Sequence, residues 1–174
     1  VTAEICAPHF TWTDESLRTF DSNYKVNPPL RSRDHVDACI AGLADGTIDV
    51  IASGHAPRAS EKKLQELDPA PFGMVNLETT LSLVITQLIR PRHLDWPTAL
   101  AKLTVNPARV LGLDKGTLRL GADADVTIID PDVRWTVRTE HFRSKSTNTP
   151  LEGTELYGRA ACVIVGGTVK YRCS

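Results

Sequence analysis

Two histidines stand where an enzyme of alternating strands and helices would put its chemistry. His9 follows the apolar opening of the chain, and His55 follows the β-branched run TIDVIAS. Strand ends carry the catalytic groups of (β/α) barrels. Two imidazoles do not make a catalytic zinc site, which takes about three protein ligands. His9 therefore reads as a structural or supporting group and His55 as a packing or hydrogen-bonding one, with His35, His93 and His141 at the surface. Asp123 and Asp125 offer a carboxylate pair, but they sit at a turn entering a strand, where turn and edge chemistry accounts for them. Asn27 precedes Pro28-Pro29 and suits a turn as well as a ligand contact. Arg58 either snorkels to solvent along its aliphatic stem or fills a pocket with its guanidinium. The run Glu61-Lys62-Lys63 reads as a solvated loop face. Pro71 and Gly73 favour a shaped loop at Phe72-Gly73.

Composition narrows the partners. The net charge of −1 gives nothing to attract nucleic acid or an anionic membrane, and no apolar run is long enough to span a bilayer. The opening VTAEICAPHF has no basic segment followed by an apolar one, so no signal peptide is visible. Cys6, Cys39, Cys162 and Cys173 are scattered with no C-x-x-C pair, which suits reduced thiols in a cytoplasmic protein.

The elements that must position these groups follow from spacing. Residues 1–7 suit a short buried strand. Pro28-Pro29 force extended backbone. Asp34 is expected to cap a helix with Val36, Cys39, Ile40 and Leu43 on one face, ending at Asp45-Gly46. A parallel-type strand is expected at 47–53, then a long functional loop from His55 to Gly73. Asn76 is expected to cap a helix whose stripe is Leu77, Leu81, Val84, Ile85, Leu88 and Ile89. A helix from Pro97 to about Thr104 precedes a short one capped by Asn106 with Pro107 at its first position. Beyond Leu113, ADVTII alternates with period two, and AACVIV-GG-TVKYR is a hairpin around Gly166-Gly167. The chain thus divides into an α/β segment over 1–112 and a β-rich segment over 113–174. A (β/α) barrel needs about eight strands and about 250 residues, whereas only two barrel-type strands are visible. An incomplete barrel, and a chain that is part of a longer protein, are the expectation.

Several pieces, in order, carry a resemblance: VTAE, TDE, YKVNPPLR, DGTIDVIAS-HAP, APFGMVNLET, NPARVLGL, GADADVTIIDPD and KSTNTP. Together they resemble the dihydroorotases of many bacteria along essentially the whole chain. The resemblance implies an α/β fold, the C-terminal portion of a TIM-barrel amidohydrolase with the C-terminal strands of its small β-sandwich domain. It further implies a zinc centre that interconverts dihydroorotate and N-carbamoyl-aspartate in pyrimidine synthesis. There the metal polarises the amide carbonyl and supplies hydroxide while a carboxylate shuttles the proton. In the family that carboxylate is the aspartate of a motif resembling T-D-H-A-P-H, whose last histidine contacts substrate.

Here the motif reads Ser53-Gly54-His55-Ala56-Pro57-Arg58. Gly54 stands at the family's ligand and catalytic position and Arg58 at its substrate-contacting histidine. Pro8 sits where relatives often have histidine. Asn27 matches a substrate-binding asparagine, and Phe72 and Gly73 a loop whose backbone meets the dihydroorotate ring. The resulting expectation is a chain that binds no zinc and is catalytically inactive. Its partners would be a complementary chain, or aspartate transcarbamoylase, which inactive copies in related families support. An allantoinase- or hydantoinase-like chemistry would also need the missing aspartate. The apolar helix face and the open strand edges are expected to need a cover.

Overall fold

The computed structural model describes residues 1–173. Strands β1 (Glu4–Cys6) and β2 (Val50–Ala52) pair in parallel, with Ile5 opposite Ile51 and Cys6 opposite Ala52. Ile5, Val50 and Ile51 are buried, as apolar runs of parallel strands should be. Between the two strands lie a short helix α1 (Pro8–Thr11) and a longer α2 (Arg33–Asp45).

Helix α2 buries Val36, Gly42 and Leu43 and stops at Gly46, whose φ of 87° is the left-handed conformation glycine supplies at helix ends. Its start corrects the expected cap. Ser32, not Asp34, holds the extended cap position; its hydroxyl donates to the Asp34 carboxylate and lies 2.8 Å from His35 Nδ1. Asp34 lies inside the first turn, where the Ser32 hydrogen bond holds its carboxyl below the usual range.

After β2 the chain enters the loop expected at 55–73, which contains one helical turn, α3 (Ser60–Lys63). Glu61 and Lys62 are exposed, but Lys63 is only 7% exposed. The solvated face read for that run therefore fails at Lys63, whose amine is drawn onto two backbone carbonyls.

Helix α4 (Thr80–Val84) continues directly into a π-helical turn over Ile85–Ile89, closed by Arg90 N donating to Ile85 O at 2.9 Å. Asn76 starts this helix with its carbonyl, which receives the amides of Thr79 and Thr80 at 3.0 and 2.8 Å. Its side chain is buried and makes no hydrogen bond among the described residues. Leu77 lies before the helix and is exposed, so it leaves the predicted stripe, while Val84, Ile85 and Leu88 are fully buried.

Helix α5 (Trp96–Leu103) begins with Asp95 Oδ1 accepting from Thr98 N at 2.9 Å. Helix α6 (Val105–Val110) begins two residues earlier than expected, after Thr104. Asn106 is not its cap: its side-chain amide donates to Asp49 O at 2.9 Å, tying α6 to the entry of β2.

An antiparallel sheet follows, in the order β3 (Val126–Thr136), β4 (Glu155–Val165), β5 (Thr168–Arg172). Gly166 and Gly167 join β4 to β5 with φ of 55° and 74°, as a two-residue hairpin of matching twist requires. Asp125 accepts from Gly166 N at 2.8 Å, and Lys115 Nζ bridges Asp123 at 2.5 Å and Asp125 at 2.8 Å. These two aspartates thus serve the turn.

The core runs across residue 112. Leu151, Leu156 and Val137 pack in one cluster with Leu83, Ile85 and Leu88. The helix face expected to lie bare is covered from within the chain by β4. Gly158 makes the contact possible: it has φ of 77°, and a Cβ there would lie 2.2 Å from Ile85 Cδ1. The Gly158 carbonyl receives Ser82 Oγ at 2.5 Å and Trp135 Nε1 at 3.3 Å. No helix among the described residues is long and apolar enough to cross a membrane.

Candidate functional site

The residues singled out by the sequence meet at one place. Asn27, Gly54, Arg58, Phe72 and Gly73, with His9, line a cavity of about 340 Å³ beyond the ends of β1 and β2. Parallel strands deliver Cys6 and Ala52 side by side, so the residues that follow them open onto the same space.

Gly54 has φ of 61°, and a Cβ built on it would lie 2.9 Å from Cys6 Cβ and 3.0 Å from Cys6 Sγ. The space in which a side chain would start is therefore already occupied by the neighbouring strand. Burial, followed by the charge of Glu4, pushes the Cys6 thiol up, which keeps it protonated and a poor metal ligand.

His55 Nδ1 accepts the amides of Asn76 and Leu77, both at 3.2 Å. Its ring is thereby held as the Nε2–H tautomer, and it organises the chain that enters α4. His55 also forms a parallel bridge with Met74, and Ala56 N donates to Met74 O at 2.8 Å. His9 Nε2 lies 2.8 Å from Pro28 O, to which it donates, anchoring the Asn27-containing turn. Both imidazoles thus spend a nitrogen on backbone.

Arg58 is fixed at three points: its amide donates to Asn148 Oδ1 at 2.9 Å, its carbonyl accepts from the Ser146 hydroxyl, and its Nε donates to Phe72 O at 2.8 Å. No partner for its two terminal nitrogens is found among the described residues. Gly73 has φ of 122°, and a Cβ there would meet Ala56 Cβ at 2.6 Å. Only glycine fits, because the loop lies directly on the residues after β2. Its N–H goes to Lys25 O at 2.8 Å and its carbonyl takes Asn148 Nδ2 at 3.1 Å. The Asn27 side-chain amide has no protein partner among the described residues.

Three groups beyond those named from the sequence hold the pocket. Asn148 joins Arg58, Ala56 O (3.2 Å) and Gly73 O while only 5% exposed. Lys25 Nζ donates to Leu67 O and Asp68 O at 2.9 and 2.7 Å and sits 4.8 Å from the Phe72 ring centre. Lys63 Nζ donates to Ser22 O at 2.5 Å and Pro71 O at 3.0 Å. Burial lowers the Lys63 amine to about 8; Asp21 opposes that fall, and Lys25 and Arg58 add to it. Asn148 lies in KSTNTP and Lys25 in YKVNPPLR, but local pattern assigns neither a partner some forty or ninety residues away.

The residues present do not fit a metal. Gly54 offers no donor and no room for one, Arg58 brings a positive charge, and His9 and His55 are turned to backbone. Among the described residues no three His, Cys, Asp or Glu side chains converge where a metal ion could be held.

The amidohydrolase family model matches residues 3–170. A dihydroorotase of Pelotomaculum thermopropionicum is 55% identical over 169 residues, covering 97% of this chain and 40% of that protein. A putative dihydroorotase of Rhodopirellula baltica is 46% identical, covering 98% of this chain and 38% of that protein. Among solved structures, the L-hydantoinase (dihydropyrimidinase) of Arthrobacter aurescens superposes with a TM-score of 0.93 at 28% identity, covering 99% of this chain and 39% of that chain. The chain spans about two-fifths of the length of the curated relatives it matches.

Proposed function

Because the chain belongs to the amidohydrolase family, we propose that it carries the C-terminal part of a dihydroorotase-type site that no longer performs cyclic amide hydrolysis. Its fold is the C-terminal portion of a TIM-barrel amidohydrolase with an antiparallel sheet behind it.

The observation that carries the loss of chemistry is Gly54. A dihydroorotase-type reaction needs a carboxylate that receives and returns a proton at the scissile amide, next to a metal-activated hydroxide. Gly54 supplies no side-chain carboxylate, and Cys6 fills the space from which one would extend. What survives is the ligand-facing frame: the Asn27 amide, the loop at Phe72-Gly73 and a cation at Arg58. A small substrate can be held by such a frame, but no group in it moves the proton.

The likeness to dihydroorotases supports dihydroorotate as the substrate in this reading, and with it a place in pyrimidine synthesis. Spectrophotometric loss of dihydroorotate, with zinc supplied, tests the reading. The chain is expected to show no turnover above buffer. Turnover that is abolished by chelation and restored by zinc would overturn it.

A further inference from the structure

We propose that the pocket at Gly54 and Arg58 is a metal-independent receptor for a small carboxylate, with the Arg58 guanidinium as its recognition group. The inference rests on the dihydroorotase-type reading for the origin of the pocket, and on this chain's own residues for what the pocket now binds.

The sign of the charge comes first. A site built around a metal gathers carboxylates and neutral imidazoles. Here none of the residues lining the cavity is acidic, and its one permanent charge is Arg58. Two more cations stand behind the same loop: Lys25 against the Phe72 ring and Lys63 on Pro71 O. Lys25 and Arg58 both push the Lys63 amine down, and Asp21 alone pulls it up, so these groups share one positive field. Such a field disfavours a divalent cation and favours an anion.

The second point is pre-organisation. A surface arginine pays rotamer entropy to hold any ligand. Arg58 has paid it already, because Asn148, Ser146 and Phe72 O fix its backbone and its Nε. The terminal nitrogens remain as a fixed pair of donors, the geometry that a carboxylate accepts. Asn27, also lining the cavity, adds a donor and an acceptor for a neighbouring amide or urea group. The space of about 340 Å³ suits a molecule of cyclic-amide size. Removing the side chain at 54 and placing a guanidinium at 58 thus work together: one deletes the attraction for a metal, the other installs an attraction for the opposite charge.

Isothermal titration calorimetry on the purified chain, in buffer containing EDTA, tests this with four probes: dihydroorotate, N-carbamoyl-L-aspartate, succinate and inorganic phosphate. Saturable binding of a carboxylate without metal is expected. Arg58→Gln should weaken it on the order of ten- to a hundredfold, the range of a charge-assisted hydrogen-bonded pair. Arg58→Lys should fall between, since it keeps the charge and loses the fork. Circular dichroism and melting of each variant check that the fold is intact. Binding that appears only when zinc is added, unchanged affinity in Arg58→Gln, or no saturation by any probe would each overturn the proposal. Arg58-dependent binding of succinate as tight as that of the two amide ligands would leave the receptor standing and refute the dihydroorotase-type substrate class. Dihydroorotate bound without regard to Arg58 would do the reverse.

Discussion

Putting a side chain back at Gly54 should cost stability, and the structure says how much and why. An L-residue in the left-handed conformation costs about 1–2 kcal/mol. Forcing a Cβ to 2.9 Å from Cys6 Cβ adds an overpacking cost of about 1–3 kcal/mol. Gly54→Ala, which has the Cβ and no charge, should therefore lose about 2–5 kcal/mol, on the order of 4–20 °C in Tm for a chain of this size. Gly54→Asp should lose a similar amount, tempered by the easier access of aspartate to this conformation. Cys6→Gly removes both atoms that the new Cβ would meet. In that background Gly54→Ala should cost only the backbone part, so the two changes should couple by about 1–3 kcal/mol. Urea unfolding followed by circular dichroism, on both single variants and the double, measures the cycle. A Gly54→Ala change within about 0.5 kcal/mol of the parent in both backgrounds would refute the reasoning. One consequence bears on repair: an aspartate introduced at 54 should reach the position its chemistry needs only when Cys6 is shortened with it.

Two further outcomes follow from the frame of the pocket. Lys63 has a folded-state pKa of about 8 against its ordinary 10.5, so between those values the unfolded chain holds a proton that the folded one has shed. Stability relative to Lys63→Met should therefore rise with pH across that window, and urea midpoints at its two ends that move in parallel for the two proteins would count against it. Asn148→Ala should cost about 2–4 kcal/mol by stranding the Arg58 amide and two carbonyls. Asn148→Asp should be worse, because it turns an acceptor toward Ala56 O and Gly73 O; thermal melts placing Asp above Ala would contradict this bonding scheme.

Much of the frame was legible because it is local. The β-branched run at 47–53, the Gly166-Gly167 hairpin and the Gly46 stop depend on neighbours a few residues away. Caps were read less well. Ser32 and Thr104 hold positions that spacing gave to Asp34 and Asn106, since Asn106 is claimed by Asp49 O, more than fifty residues back. The π turn at Ile85–Ile89 was invisible, resting as it does against Gly158, whose role appears only once β4 is laid on the helix. At the site, the sequence showed that Gly54 and Arg58 depart from the family pattern. It did not show Cys6 beneath Gly54, nor the burial of Lys63 inside a run of charges.

The bonds of Asn148 have a practical meaning for anyone dividing this chain. Its backbone carbonyl receives Val75 N at 2.9 Å, and its side chain holds three groups around the pocket. The change of character near residue 113 invites a boundary there, yet a protein cut at that point would leave the loop of Ala56, Arg58 and Gly73 with unanswered polar groups. The C-terminal segment works as a clasp that closes on the loop from behind. Grafting, truncation or exchange of the sheet for a relative's would retune the pocket without altering any residue that lines it.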